Sequence, residues 1–375
     1  MKKIIAIISS LFLVSSANAQ DCNKETIMNV KGKWTMLANN IVYPEKTFPS
    51  SQFSQLYSRL DKIAQMFQQA YPLPAGIEAE WYRSIRGAAI VKNGPVPYQF
   101  NSLYLGWYCN TNVHKLMLGD ETGTWAYVFV NDLHWFLNDQ YDQLWMKINN
   151  TTVYFLPLVK EQWKGMNVYA VSANHDKSKA VLIMQSDQLP YKPVNRLSFL
   201  QAYKEKVETD KKNQLDAMSK TPPRTDAEEE KIKQNELAYI EKNYPVANQA
   251  KAIERYLKNY KSDKQRREED LQRSAKYYDD RLKIMEDVWK NETNEELRQP
   301  AIIENSINFK GFSTLEMGRM LVVIDPSYFN MQLPKYVPQI IMLYWQWDNS
   351  APAQNFKKQI EEKFPVEKLK EMIDK

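Results

Sequence analysis

The side chains with the clearest potential for catalysis are Asp132 and His134, because the chain contains only three histidines. Asp139 and Asp142 follow within a few residues. A metal site would need three or four converging ligands, and this segment has neither a second histidine nor a His-x-x-x-His spacing. The pattern favours a structural role, with turn residues and an imidazole at the edge of a strand. If the chain is an enzyme, Asp132 and His134 are the candidate catalytic residues. No metal site is predicted.

Glycine-dependent motifs for nucleophiles and phosphates are absent from the sequence. No Gly-x-Ser-x-Gly segment occurs, and the 10 glycines of the 375-residue chain never form a Gly-x-Gly arrangement. Loops that hold nucleotide phosphates need such glycines, because the backbone must approach the ligand closely. The sequence therefore predicts no nucleotide cofactor, and no other cofactor is predicted either.

Aromatic residues make up 12% of the chain and are its most distinctive component. The segment Tyr344-Trp345-Gln346-Trp347 is typical of a strand, on which alternation places Trp345 and Trp347 on one face. That face is either part of the core or a platform for a ligand, since aromatic rings fill cores and also stack on sugars and apolar ligands. Trp345 and Trp347 are therefore the candidate binding residues.

The first nineteen residues have the three regions of a cleavable signal peptide in the required order. Lys2 and Lys3 provide the positive start, residues 4–14 are mostly apolar, and residues 17–19 have the small-x-small cleavage pattern Ala-Asn-Ala. The apolar stretch is shorter than the about 20 residues that span a bilayer. We expect cleavage after Ala19 and an extracytoplasmic location, either periplasmic or secreted.

Two cysteines, Cys22 and Cys109, remain after that cleavage. In an oxidising compartment such a pair is most simply a disulfide. The bond would close a loop of roughly 90 residues, which contributes about 4–5 kcal/mol in the chain-entropy model. Two free thiols are the alternative, and the sequence beside Cys109 contains no base or cation that would indicate a reactive thiol.

Composition divides the mature chain into three parts. Residues 20–196 hold seven of the ten tryptophans and contain several strand-like runs, whereas residues 197–300 are densely and evenly charged. Residues 301–375 return to strand-like apolar runs before a closing helix. These features predict an α+β fold with a mixed or antiparallel sheet built from the N- and C-terminal parts. The charged segment is predicted to be an inserted helical hairpin or small bundle.

Capping residues and apolar spacing predict the helices. Apolar residues three and four apart predict a helix that begins near Phe53. In the charged segment, Asn195 has the position of a helix cap, and Thr225 with Glu228 forms a capping-box pattern. One long helix is predicted over residues 246–289, because apolar residues recur through it at a coiled-coil-like spacing.

Alternating apolar residues and turn-forming residues predict two hairpins. One joins residues 124–130 to residues 133–137 through a turn that begins at Asn131, which tolerates positive φ. The other joins residues 168–172 to residues 180–184. The first hairpin would place the candidate catalytic pair at the edge of the sheet.

The sequence by itself favours no enzyme class. After cleavage the formal net charge falls from +5 to +3, which indicates neither nucleic acid nor an anionic membrane as the partner. No later segment is long and apolar enough to span a membrane. We expect an exported, soluble, non-catalytic protein that binds a small molecule, a glycan or a protein through its aromatic-rich part. The alternative is a secreted hydrolase whose site assembles from residues distant in sequence, with Asp132 and His134 among them.

Overall fold

The computed structural model describes residues 23–42, 48–86, 89–110, 112–113, 115–137, 146–171, 176–184, 188–304 and 309–375. The predicted signal peptide and Cys22 lie outside these residues. Within the described part, the strands are β1 (Trp34–Met36), β2 (Asn40–Val42), β3 (Ile77–Arg86), β4 (Tyr98–Asn110), β5 (Lys115–Leu118), β6 (Trp125–Val130), β7 (Lys147–Ile148), β8 (Thr151–Phe155), β9 (Leu158–Trp163), β10 (Met166–Ala170), β11 (Ser178–Ile183), β12 (Tyr191–Pro193), β13 (Ile302–Ile303), β14 (Arg319–Ile324) and β15 (Ile341–Gln346).

The α-helices in the same part of the chain are mostly long in the middle third and shorter elsewhere. They are α1 (Lys24–Asn29), α2 (Phe53–Ala70), α3 (His134–Leu137), α4 (Arg196–Lys220), α5 (Asp226–Asn243), α6 (Val246–Asn259), α7 (Asp263–Asn291), α8 (Ala351–Lys363) and α9 (Val366–Lys370). None of these described helices is both long and apolar enough to cross a membrane.

The chain divides into two compact units, and each contains segments that are distant in sequence. The opening segment of the first unit ends at residue 139, and the unit continues over residues 157–190 and 326–375. The second unit comprises residues 140–156 and 191–325. It therefore contains the charged helical segment together with strands that precede and follow it.

A large sheet forms the centre of the first unit. Its strand order is β1-β3-β4-β6-β15-β11-β10-β9, with β2 also paired to β3 and β5 to β4. β1 and β2 run parallel to β3, whereas the other neighbouring pairs are antiparallel. β15 comes from the C-terminal part and lies between β6 and β11. The predicted α+β class, with a mixed sheet built from N- and C-terminal parts, is confirmed.

Helix α2 forms where apolar spacing predicts it and covers one face of this sheet. Its buried residues include Leu56, Leu60, Ile63 and Phe67, which are three and four residues apart. Phe67 stacks on Phe100 of β4 with ring centroids 4.9 Å apart. Helices α8 and α9 contribute buried residues to the same core. The opposite face of the sheet is formed by the alternate side chains of each strand.

One of the two predicted hairpins is confirmed and the other is wrong. β10 and β11 pair antiparallel, with Val168 opposite Val181. The residues after Asn131 form the helical turn α3 instead of a strand, and β6 pairs with β4 and β15. Asn131 does adopt a positive φ of 56°, but Asp132 Oδ1 then accepts a hydrogen bond from the His134 backbone N–H at 2.8 Å. This local bond stabilises a helical turn in competition with a strand.

The second unit has its own sheet and core. Its strands are ordered β12-β14-β8-β7, with β13 paired to β14. Helices α4 and α7 pack with this sheet around a cluster that includes Phe199, Met285 and Leu321. The predicted caps are confirmed: Asn195 caps α4, and Thr225 forms a capping box at the start of α5.

The single helix predicted over residues 246–289 is wrong, because the chain forms two helices there. α6 ends at Asn259, and α7 begins after a second capping box between Ser262 and Gln265. The Ser-x-x-Gln spacing of that box is a recognised helix start. It overrides the apolar periodicity that runs across the break.

Candidate functional site

Pairing of the central strands aligns side chains on the sheet face opposite α2. Asn101 of β4 lies opposite Tyr127 of β6, and Tyr127 lies opposite Tyr344 of β15. Directly paired residues point to the same side of a sheet, and their sequence neighbours point to the other side. The neighbours Phe100 and Val128 belong to the core under α2. The row from Asn101 to Tyr344 therefore faces away from that core.

A second row and one helical residue extend this surface. Leu103 lies opposite Trp125, which in turn lies opposite Gln346. Trp135 of α3 packs against the same side, with its ring centroid 4.7 Å from that of Tyr344. We call this surface the aromatic face, and it consists of Gln99, Asn101, Leu103, Trp125, Tyr127, Trp135, Tyr344 and Gln346.

The rings of the aromatic face form a continuous cluster. The ring centroids of Trp125 and Tyr127 are 6.4 Å apart, and those of Tyr127 and Tyr344 are 6.1 Å apart, both with nearly parallel planes. Tyr344 is fully buried, whereas Trp125, Tyr127 and Trp135 are half-buried. The half-buried residues keep part of their surface accessible to solvent.

Two buried amides on this face leave hydrogen-bonding atoms without partners. Gln99 is 2% exposed and Asn101 is 1% exposed. Gln99 Nε2 donates to Asn101 Oδ1, but Gln99 Oε1 and Asn101 Nδ2 have no partner in the described part of the chain. Turning both amides over would reverse the bond and still leave one donor and one acceptor. An unpaired buried polar atom costs about 1–3 kcal/mol, and a ligand that bonds to these atoms would remove that cost.

Two indole N–H groups are also buried without a hydrogen-bond partner. Nε1 of Trp125 and Nε1 of Trp107 are buried with no acceptor among the described residues. Trp107 lies further along β4 on the same side as Asn101, because the two residues are an even number of positions apart. This side of the sheet therefore offers several donors and an acceptor, a combination that suits hydroxyl groups.

The candidate catalytic residues lie at the start of α3, next in sequence to Trp135. Asp132 Oδ1 is 3.1 Å from His134 Nδ1 and also accepts a hydrogen bond from the His134 backbone N–H. The side-chain bond raises the pKa of His134, and burial opposes the increase. Among the described residues His134 bonds to no hydroxyl or thiol. The pair can orient and charge an imidazole, and the geometry supplies no nucleophile for it.

The candidate binding residues Trp345 and Trp347 point to the other side of the sheet, into the core. Trp345 is 0% exposed and Trp347 is 5% exposed. The Trp345 ring lies 5.1 Å from that of Trp163, and its Nε1 lies 3.4 Å from Glu361 Oε1 of α8. Alternation correctly places both tryptophans on one face, but α8 covers that face. Neither ring is accessible as a binding platform.

The predicted disulfide is not tested by the described residues. Cys109 lies in β4, whereas Cys22 lies outside the described part of the chain. Asp139 and Asp142 also lie outside it. The pairing of Cys22 with Cys109 therefore stays a prediction.

The sequence by itself does not identify Gln99 and Asn101 as site residues, although the alternation of polar and apolar residues around them is visible in it. Both are polar residues that alternate with the apolar Tyr98 and Phe100 along β4. Such alternation is typical of a strand with one solvated face, so it predicts exposed side chains. The structure shows instead that both side chains are buried, so this part of β4 is covered on both faces.

The described residues contain no group of three or more His, Cys, Asp or Glu side chains that could hold a metal ion. Comparisons with family models, with curated proteins and with solved structures found no match to this chain. The geometry of the aromatic face is therefore the basis for inferring a function.

Proposed function

We propose that the protein is a non-catalytic binding protein that takes a carbohydrate on the aromatic face. The observation that carries this proposal is the unpaired donor and acceptor of Asn101 and Gln99, beside half-buried aromatic rings. A sugar ring has an apolar face that stacks on an aromatic ring, and hydroxyl groups that both donate and accept hydrogen bonds. Asn101 pairs with Tyr127, whose ring contacts Trp125, so the amides lie beside the rings on which a sugar would stack. This combination of apolar lining and few polar groups is typical of ligand sites.

The charge of the aromatic face narrows the ligand class. None of its eight residues carries a charge, and Glu80 is an acidic neighbour in the sheet, where it pairs with Leu103. A carboxylate near the site repels an anionic ligand, and none of the eight residues of the aromatic face is a cation that would compensate. A neutral saccharide therefore fits better than a uronic acid or a sugar phosphate.

Titration with neutral oligosaccharides tests this function. We expect wild-type protein to bind at least one class among gluco-, xylo-, manno- and N-acetylglucosamine oligomers, measured by tryptophan fluorescence and calorimetry. The Trp125→Ala variant should bind at least about tenfold more weakly, because truncation of a central aromatic contact costs more than about 1–2 kcal/mol.

Tyr108→Ala provides the matched control. Tyr108 is an exposed aromatic residue of β4 that lies an odd number of positions from Asn101, and therefore on the other side of the strand. Its removal should leave the dissociation constant within about twofold of the wild-type value. The proposal fails if, across a glycan array, no saccharide binds wild-type protein more strongly than it binds Trp125→Ala.

A secreted hydrolase is the second candidate function, and the 3.1 Å contact between Asp132 Oδ1 and His134 Nδ1 is the observation that favours it. The same oligosaccharides distinguish the two functions when the products are analysed by chromatography. Shorter products that form with wild-type protein but not with His134→Gln would support the hydrolase. Binding without any change in the oligosaccharide supports the binding protein.

We further propose that the protein is exported and that Cys22 pairs with Cys109. The three-region pattern of residues 1–19 and the presence of two cysteines in the mature chain support this proposal. Exported protein should have the intact mass of residues 20–375 less two hydrogen atoms, as measured by mass spectrometry without reduction. Retention of Met1, or alkylation of both cysteines without prior reduction, would contradict it.

A further inference from the structure

A groove of about 850 Å³ opens between α5 and α6 in the second unit. We call it the α5–α6 groove. Ile232 and Ile240 of α5 and Ala252 and Tyr256 of α6 form its apolar lining. Ile240 is buried and the other three are half-buried, so the lining keeps apolar surface in contact with solvent. Accessible apolar surface in a concave site is typical of a place where another molecule binds.

The charged residues of the groove are strongly biased toward cations. One carboxylate, Glu236, lines it, whereas the whole chain has 50 basic and 45 acidic residues. The positive charge is therefore concentrated here and is not a property of the whole chain. The cations of the lining are Arg224, Lys251, Arg255, Lys261 and Arg266.

Two of these cations are available to a ligand. Lys251 and Arg255 lie one helical turn apart on α6, and neither forms an ion pair with any residue in the described part of the chain. The other three cations each have a carboxylate within 3.9 Å. An anionic group opposite Lys251 and Arg255 would therefore gain an interaction without breaking an existing pair.

From this apolar lining and these cations we propose that the α5–α6 groove binds an acidic amphipathic helix from another polypeptide. The apolar stripe of that helix would pack on Ile232, Ile240 and Tyr256, and its carboxylates would pair with Lys251 and Arg255. This is helix-in-groove recognition, in which anchors three and four residues apart enter an apolar groove. α6 has 14 residues. At 1.5 Å per residue it is about 21 Å long, which matches a partner helix of about four turns.

The shape of the groove favours a helix over a bilayer. A membrane-binding surface places apolar side chains on a projecting face, whereas here the apolar residues line a concavity. Val246 and Leu257 are exposed on α6 but do not line the groove. Because exposed apolar side chains on a helix can bind a membrane surface, anionic vesicles are a necessary competing probe. Four tyrosines of the lining offer rings on which a sugar can stack, so heparin is a second competing probe.

Fluorescence anisotropy with labelled peptides tests the proposal on the full-length protein. The probe is a peptide of about 15 residues with leucine at positions i, i+3, i+4 and i+7 and glutamate at most others. We expect it to bind at least about tenfold more tightly than a scrambled peptide of the same composition or the same peptide with lysine in place of glutamate. The double variant Lys251→Glu, Arg255→Glu should weaken binding by at least about tenfold.

The matched control reverses the same number of charges outside the groove. Lys242 and Lys258 lie on α5 and α6 and do not line it, so Lys242→Glu, Lys258→Glu should change binding by less than about twofold. Equal binding of the probe and the scrambled peptide would overturn the proposal. Loss of binding in the control variant to the same extent would also overturn it. Binding to anionic phosphatidylglycerol vesicles or to heparin but not to the probe would replace the helix with a membrane or a glycan. None of these results bears on the aromatic face, which lies in the first unit.

Discussion

Replacement of Trp345 by alanine is expected to lower the free energy of unfolding by about 3–5 kcal/mol, because it removes the largest side chain that is fully buried among the described residues. Trp345 contributes to the core between the sheet and α8, where its ring packs 5.1 Å from that of Trp163. Glu361 would lose its contact with the indole but would keep its ion pair with Lys179 at 2.9 Å. The loss should therefore come from packing. Urea denaturation followed by far-ultraviolet circular dichroism measures it.

Trp125→Ala is the control for this prediction, since Trp125 is in the same sheet on the opposite face. Its ring is half-buried and stacks on Tyr127, and its Nε1 has no acceptor among the described residues, so the variant should lose about 1–2 kcal/mol, clearly less than Trp345→Ala. The two variants should therefore distinguish effects on stability from effects on binding. Trp345→Ala should be the less stable protein, whereas Trp125→Ala should stay folded but bind the saccharide at least about tenfold more weakly. A destabilisation by Trp125→Ala as large as that by Trp345→Ala would contradict this division.

The second prediction concerns the buried amides. We expect the free energy of unfolding of the double variant Gln99→Met, Asn101→Leu to be about 1–2 kcal/mol higher than that of wild type. We also expect this variant to lose saccharide binding. Met and Leu keep the length and the branching of the two side chains, but they leave no polar atom unpaired. When both partners of a buried hydrogen bond are replaced by apolar groups of similar shape, the change is often neutral or stabilising. Here two atoms without partners are removed as well.

The sign of the stability change in the double variant distinguishes a binding role of the amides from a structural role. A gain in stability indicates a binding role, and a loss indicates a structural role. If the amides stabilise the free protein, the double variant will be less stable than wild type in urea denaturation. The single variant Asn101→Leu serves as the control, because it removes the hydrogen bond and leaves the Gln99 amide buried without a partner. It should be less stable than the double variant by about 1 kcal/mol or more. A more stable single variant would contradict the role assigned to the pair.

Local patterns in the sequence predict much of the secondary structure. The spacing of Leu56, Leu60 and Phe67 predicts α2, and the capping residues Asn195 and Thr225 predict the starts of α4 and α5. These signals depend on residues within a few positions of each other, so they act whatever the rest of the chain does. The prediction fails where two local signals compete, as at the capping box that begins with Ser262.

The candidate site could be predicted only in part. The sequence indicates that Trp345 and Trp347 lie on the same face of their strand, but it does not show which face of β15 is covered. The covered face is set by α8, which packs on it, and by the pairing of β15 with β6 and β11. Cross-strand contacts such as Tyr127 with Tyr344 join residues that are far apart in the chain, and no local pattern specifies such contacts.

By itself, then, the sequence determined the position of α2, the starts of α4 and α5, and which side chains of a strand share a face, because these properties depend on near neighbours and a fixed period. It also determined the α+β class, since strand-like segments lie on both sides of a charged helical block. Only the tertiary structure decided that Trp345 lies in the core, that Trp125 borders accessible surface, and that Gln99 and Asn101 are buried with unpaired atoms. The physical reason is that burial depends on what packs against a face, and here β15 and α8 come from the far end of the chain.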